Sequence, residues 1–215
     1  MSTADHTADH SAAATAARAT ALAGGPLFLL GVILHPARDG HGIAAAGNLY
    51  GLTHDIQAIG LLLVAISLAA AHASAPKRYG TAGLPVFLTA LAGHLLWLAV
   101  IAIDGARNPV MARLDPTIVH THADFDPGVV AIALPAMLLF PLGSVLLGRL
   151  LAKNGAHWPG LLIAGGILIY TAGSIAVFIA GPHSPLVQIL EVAGALPYAA
   201  GLALLGLQRG GTARK

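Results

Sequence analysis

Residues 84–104 form an apolar run of about twenty residues, long enough to cross a bilayer as one helix. Yet the run carries His94 near its middle and closes on Asp104. Trp97 lies between them, so the three fall at i, i+3 and i+10, close to one helix face. An ionisable side chain at mid-membrane is costly and faces protein or a water-filled cavity rather than lipid. This stretch therefore calls for a membrane and for a polar interior at once.

Six apolar runs of this kind occur, at 20–35, 54–72, 82–103, 128–151, 158–180 and 185–207. Charged residues make up 9% of the 215 and hydrophobic ones 56%. A soluble domain carries roughly a quarter charged residues, so that class is excluded. The runs do not alternate apolar and polar as barrel strands do. The expected fold is all-α, a polytopic membrane bundle of about six transmembrane helices. Asp126-Pro127 and Ser184-Pro185 each set a capping side chain before a proline at the first helical position. Trp158-Pro159 marks another start, with an interfacial aromatic beside it. Pro135 and Pro141 predict a kink in the fourth run. Residues 1–17 read as a disordered tail, 18–208 as the membrane domain and 209–215 as a short basic tail. The first run lacks a clean cleavage site and is expected to be retained.

Orientation follows from the Lys/Arg bias. With both termini cytoplasmic, that side holds Arg18, Lys77, Arg78, Arg149, Lys153, Arg209, Arg214 and Lys215, and the outer side only Arg38, Arg107 and Arg113. The same arrangement sends His35, His41, His54, His120, His122 and His183 to the outer face, together with six of the eight aspartates. The expected location is the cell membrane, multi-pass, with the lipid bilayer as the first partner. Nucleic acid is excluded as a partner because the basic residues form no long run.

Three constellations can carry chemistry. The single glutamate, Glu191, lies six residues inside the sixth run, with Gln188 one turn earlier on the same face. It is expected to meet His94 in the bundle interior, either as a functional pair or as a polar clamp worth about 1 kcal/mol. His35 ends the first run and His54 begins the second, with Gln57 at i+3 from His54. Two imidazoles at one depth suit a haem or a transition metal; otherwise they are wet interfacial residues. His120, His122, Asp124 and Asp126 alternate along a loop, so that an extended backbone points them one way. That set suits zinc or copper, or is simply a polar loop.

The absence of cysteine removes thiolate metal sites, cysteine-ligated clusters and cysteine nucleophiles. No nucleophile elbow, His-Glu-x-x-His pattern or phosphate loop is present, so whether the chain is an enzyme stays open. A faint repeat sets Ala23-Gly24 against Ala172-Gly173, and His54/Gln57 against Gln188/Glu191. The leading expectation is a His/Asp/Glu-lined polar site open to the outer face, binding a metal ion or metal-containing cofactor such as zinc, copper or haem. Its cofactor ligands would be His35, His54 and His94, and its metal ligands His120, His122, Asp124 and Glu191. The competing expectations are a small proton-coupled transporter relaying protons through Glu191 and His94, and a non-catalytic scaffold. A homo-oligomer or partner subunit fits the scaffold best.

Overall fold

The computed structural model describes residues 3–119 and 127–208. Seven α-helices follow in order: α1 (Thr3–Ile33), α2 (Gly40–Ala46), α3 (Asn48–Ser74), α4 (Gly80–Leu114), α5 (Pro127–Lys153), α6 (His157–Ala180) and α7 (Pro185–Leu207). No strand occurs among the described residues. All but α2 are long and apolar enough to cross a membrane. Their outward sides carry large aliphatics such as Leu62, Leu88, Leu138, Leu168 and Leu196, each roughly half exposed. A continuous apolar exterior of this extent belongs against lipid. The protein is a multi-pass membrane protein.

Each span packs on the next in chain order, and α7 returns to α1, which closes the six into a ring. The middle of the ring is filled by Phe28, His94, Trp97, Phe140, Tyr170 and Tyr198. Trp97 stacks on Phe140 with centroids 5.4 Å apart, and Phe28 sits edge-on to Tyr170 at 5.2 Å.

Two hairpins in this ring are built alike. In α1 and α3, a Cβ on Gly24 would lie 2.9 Å from Gly60 O, and one on Gly60 2.5 Å from Phe28 N. In α6 and α7, a Cβ on Gly166 would lie 2.7 Å from Gly194 O, and one on Gly194 would run into Tyr170 N. Further along, Gly31 makes room for Gln57, and Gly173 for Glu191. Glycine, aromatic and glycine thus recur at 24, 28 and 31 and at 166, 170 and 173. Small residues at these crossings let the backbones touch, which is how helices associate without a hydrophobic drive between them. The matched packing sets Gly24 against Gly166, not against Gly173 as the sequence repeat suggested; Gln57 and Glu191 remain counterparts.

The ends of the spans differ from those expected. Helix α1 reaches back to Thr3, through residues expected as a tail, because its alanine-rich start favours helix. Ala17 there is already buried, and its carbonyl accepts from Ser67 Oγ at 2.8 Å. Helix α4 continues past residue 103 to Leu114 despite Pro109. A small satellite core of Ile43, Tyr50, Ala112 and Val119 holds this extension down. Helix α5 is one continuous element through Pro135 and Pro141.

Candidate functional site

A cavity of about 220 Å³ opens at the end of the ring away from the termini, lined by five spans, α3 to α7, and by the segment that follows α1. Its construction begins where α1 stops. Proline at 36 has no N–H and pushes His35 out of helical geometry, so the chain leaves α1 and turns across the bundle. Asp39 then caps α2, its carboxylate accepting from Gly42 N at 2.9 Å. That bond, with His183 3.4 Å away, holds the Asp39 carboxyl below the usual range. The turn swings His35 and Arg38 inward over the cavity.

One wall is a network between α3 and α4. Gly105 leaves no room for a Cβ beside His54, so the helices meet closely there. Tyr50 OH donates to Asp104 Oδ2 at 3.2 Å, and Asn108 Nδ2 donates to Asp104 Oδ1. His54 Nδ1 lies 2.8 Å from Tyr50 O, and its Nε2 lies 3.0 Å from Asp104 Oδ2. A carbonyl oxygen only accepts, so Nδ1 carries a proton. An ionised carboxylate also only accepts, so Nε2 needs a second proton, or Asp104 must carry one. Both contacts are donor-to-acceptor bonds if the pair holds one proton more than a neutral imidazole beside a carboxylate. Such a proton belongs to the pair.

The facing wall is an ion pair. Arg38 binds Glu191 Oε2 through one guanidinium nitrogen and Gln188 Oε1 through another, at 3.0 Å. Gln188 in turn donates 2.8 Å to Val32 O, a carbonyl in the last turn of α1 that also accepts from His35 N at 3.4 Å. Ser174 Oγ stands 3.4 Å from Glu191 Oε1. Both charged side chains are largely buried, and both carboxylate oxygens of Glu191 have partners, Oε2 in Arg38 and Oε1 in Ser174.

Other polar atoms on the cavity lack partners. Gln57 Nε2 and Trp97 Nε1 are buried N–H donors with no acceptor in hydrogen-bonding geometry, although the Tyr170 hydroxyl neighbours Trp97. Arg107 lines the cavity without a carboxylate partner among the described residues. His35 donates through Nδ1 to Pro36 O at 2.7 Å. Burial, with Arg38 and His54 nearby, lowers its pKa to about 3, so this imidazole stays neutral. Opposite these groups, Val129, Ala133, Met137, Val177 and Phe178 make an apolar wall.

The expected site residues separate accordingly. His35 and His54 do come together, rings 4.8 Å apart, and Glu191 shares their cavity. His94 does not join them and does not meet Glu191. It sits in the aromatic centre, Nδ1 donating to Ala90 O at 2.7 Å and Nε2 accepting from Tyr198 OH at 2.5 Å. Tyr198 lies seven residues deeper along α7 than Glu191, about 10 Å at the helical rise, and that depth is the one His94 matches. A neutral imidazole has both ring nitrogens satisfied there. Among the described residues no group of three or more His, Asp or Glu side chains is placed to hold a metal. His120, His122, Asp124 and Asp126 lie outside the described residues. Arg38, Tyr50, Asn108 and Ser174 were not singled out from sequence, and only the i, i+4 spacings Tyr50/His54 and Asp104/Asn108 hinted at two of them. No family model matches the chain, and no curated protein or solved structure is similar to it.

Proposed function

We propose that this protein is a small proton-coupled carrier for monocarboxylates, with its binding site in the cavity at the outer end of the bundle. The observation that carries the reading is the His54–Asp104 contact, Nε2 to Oδ2 at 3.0 Å with Nδ1 2.8 Å from Tyr50 O, a geometry that an extra proton on the pair would satisfy. Among the described residues the pair with that proton is neutral and Arg38 is balanced by Glu191, so the charge left over at the cavity is the one on Arg107. One monoanion balances it. A small rotation of the Gln57 and Trp97 side chains, both of which line the cavity, would bring their buried N–H groups to carboxylate oxygens, and the apolar wall suits the rest of a short organic acid. The cavity volume of about 220 Å³ suits a small solute. Cotransport of the anion with the stored proton would move no net charge.

The metal reading is less well supported, because both ring nitrogens of His54 and of His94 already have partners. The relay expected through Glu191 and His94 moves to His54 and Asp104. Orientation with the cavity outward rests on the Lys/Arg bias alone.

The chain has two tryptophans, so Trp158→Phe leaves Trp97 on the cavity wall as sole reporter. Lactate, pyruvate or benzoate should change its emission saturably, and Gln57→Leu should weaken that response about tenfold, the value of one charge-assisted hydrogen bond. In proteoliposomes, uptake of the acid that binds should follow an inward proton gradient, and Asp104→Asn should abolish that dependence. Silence of Trp97 toward all three acids overturns the reading, as does gradient-driven uptake by Asp104→Asn.

A further inference from the structure

A second cavity, about 550 Å³, lies at the opposite end of the ring, beside the two termini of the bundle. Its lining comes from α1, α3, α4, α5 and α7, with Ala156 just before α6. Only a position on the bundle axis touches that many helices, so this is an interior chamber and not a groove facing lipid. The aromatic centre around Trp97 and Tyr198 separates it from the first cavity. At 550 Å³ it falls within the roughly 300–1,000 Å³ of ligand-sized pockets.

Its chemistry is asymmetric. Leu68, Phe87, Leu147, Leu151, Leu202 and Leu205 make the apolar part. Two arginines complete it. Arg18 Nε donates to Gly206 O at 3.1 Å, and Arg78 donates to Asn154 O at 3.0 Å. Each bond anchors a guanidinium on a carbonyl freed at a helix end, and each arginine keeps further N–H donors unused. No carboxylate among the described side chains pairs with either one. Two cations without a carboxylate partner among the described residues, beside a largely apolar cavity, complement a molecule with an anionic head and a single apolar tail.

We infer that this chamber binds a single-chain amphipathic anion, its head on Arg18 and Arg78 and its tail among the leucines. The inference stands apart from the monocarboxylate reading, which concerns the other cavity. The test is native mass spectrometry of the detergent-purified full chain with laurate, lauryl alcohol and a lauryl quaternary ammonium. Laurate should bind one per protein and at least tenfold tighter than the alcohol, and the ammonium should not bind. The double substitution Arg18→Gln with Arg78→Gln should bring laurate down to the alcohol. Ala71→Phe, which fills the chamber and leaves both arginines in place, should weaken laurate and alcohol together. Gln57→Leu, in the other cavity, should change neither. Laurate binding no tighter than the alcohol, or unaffected by Ala71→Phe, overturns the inference.

Discussion

Replacing Arg38 by glutamine isolates Glu191, whose side chain is 8% exposed. A buried carboxylate stripped of its partner costs about 3–5 kcal/mol if it stays ionised. The variant can escape by taking up a proton. For a carboxyl with an ordinary pKa of about 4.3, neutralisation at pH 7 costs about 3.7 kcal/mol, at 1.36 kcal/mol per unit. The destabilisation at pH 7 is therefore about 3–4 kcal/mol. The sign with pH is fixed: folded Arg38→Gln holds the proton and the unfolded chain does not, so the loss grows above about pH 4.3 and shrinks on acidification. By pH 5 about 1 kcal/mol remains. Adding Glu191→Gln removes the stranded charge, so the double variant should be nearly as stable as the parent at pH 7 and nearly independent of pH. Unfolding by sodium dodecyl sulfate titration of the detergent-solubilised protein, at pH 7 and pH 5, measures all three. A loss in Arg38→Gln that is equal at the two pH values, or a double variant as weak as the single one, refutes the reasoning.

Three further outcomes follow from other parts of the structure. Tyr198→Phe takes away the donor to His94 Nε2 and should cost about 1–3 kcal/mol, with monocarboxylate binding unchanged; altered binding would put His94 back in the site. Gly194→Ala drives a Cβ into α6 and should cost about 1–3 kcal/mol. Gly165→Ala meets nothing within 4 Å and should gain up to about 1 kcal/mol from helix propensity; thermal denaturation in detergent compares them. His35, held down to about 3 from 6.5, contributes stability above pH 6.5 that is lost as pH falls toward 3, so His35→Gln should flatten that part of the stability–pH profile.

The apolar runs and their bounding prolines made the six spans legible before any coordinates. Their ends were less so. Residues 104–114 lack the apolar character of a span and contain Pro109, yet they stay helical because α2 packs against them, a tertiary contact that no local pattern encodes. Depth explains the partial success at the site. His35 and His54 were both placed near a span end, and they meet. His94 and Glu191 were expected to meet from their positions along their spans, and a difference of about 10 Å in depth separates them. Arg38 read as one more loop charge, since only the turn after Pro36 reveals that it folds back onto Glu191. Gln57 and Glu191 were matched by spacing, and the glycines that seat both, Gly31 and Gly173, lie seven residues after Gly24 and Gly166.

The stored proton is the centre of the account, and magnetic resonance of protein labelled at histidine nitrogens and aspartate carboxyl carbons reads it directly. Subtracting spectra of His54→Gln and Asp104→Asn assigns the two groups. At neutral pH and without added acid, the pair should show either two protonated ring nitrogens on His54 or a protonated carboxyl on Asp104. A neutral imidazole beside an ionised carboxylate would contradict the account and leave the cavity with no proton to couple.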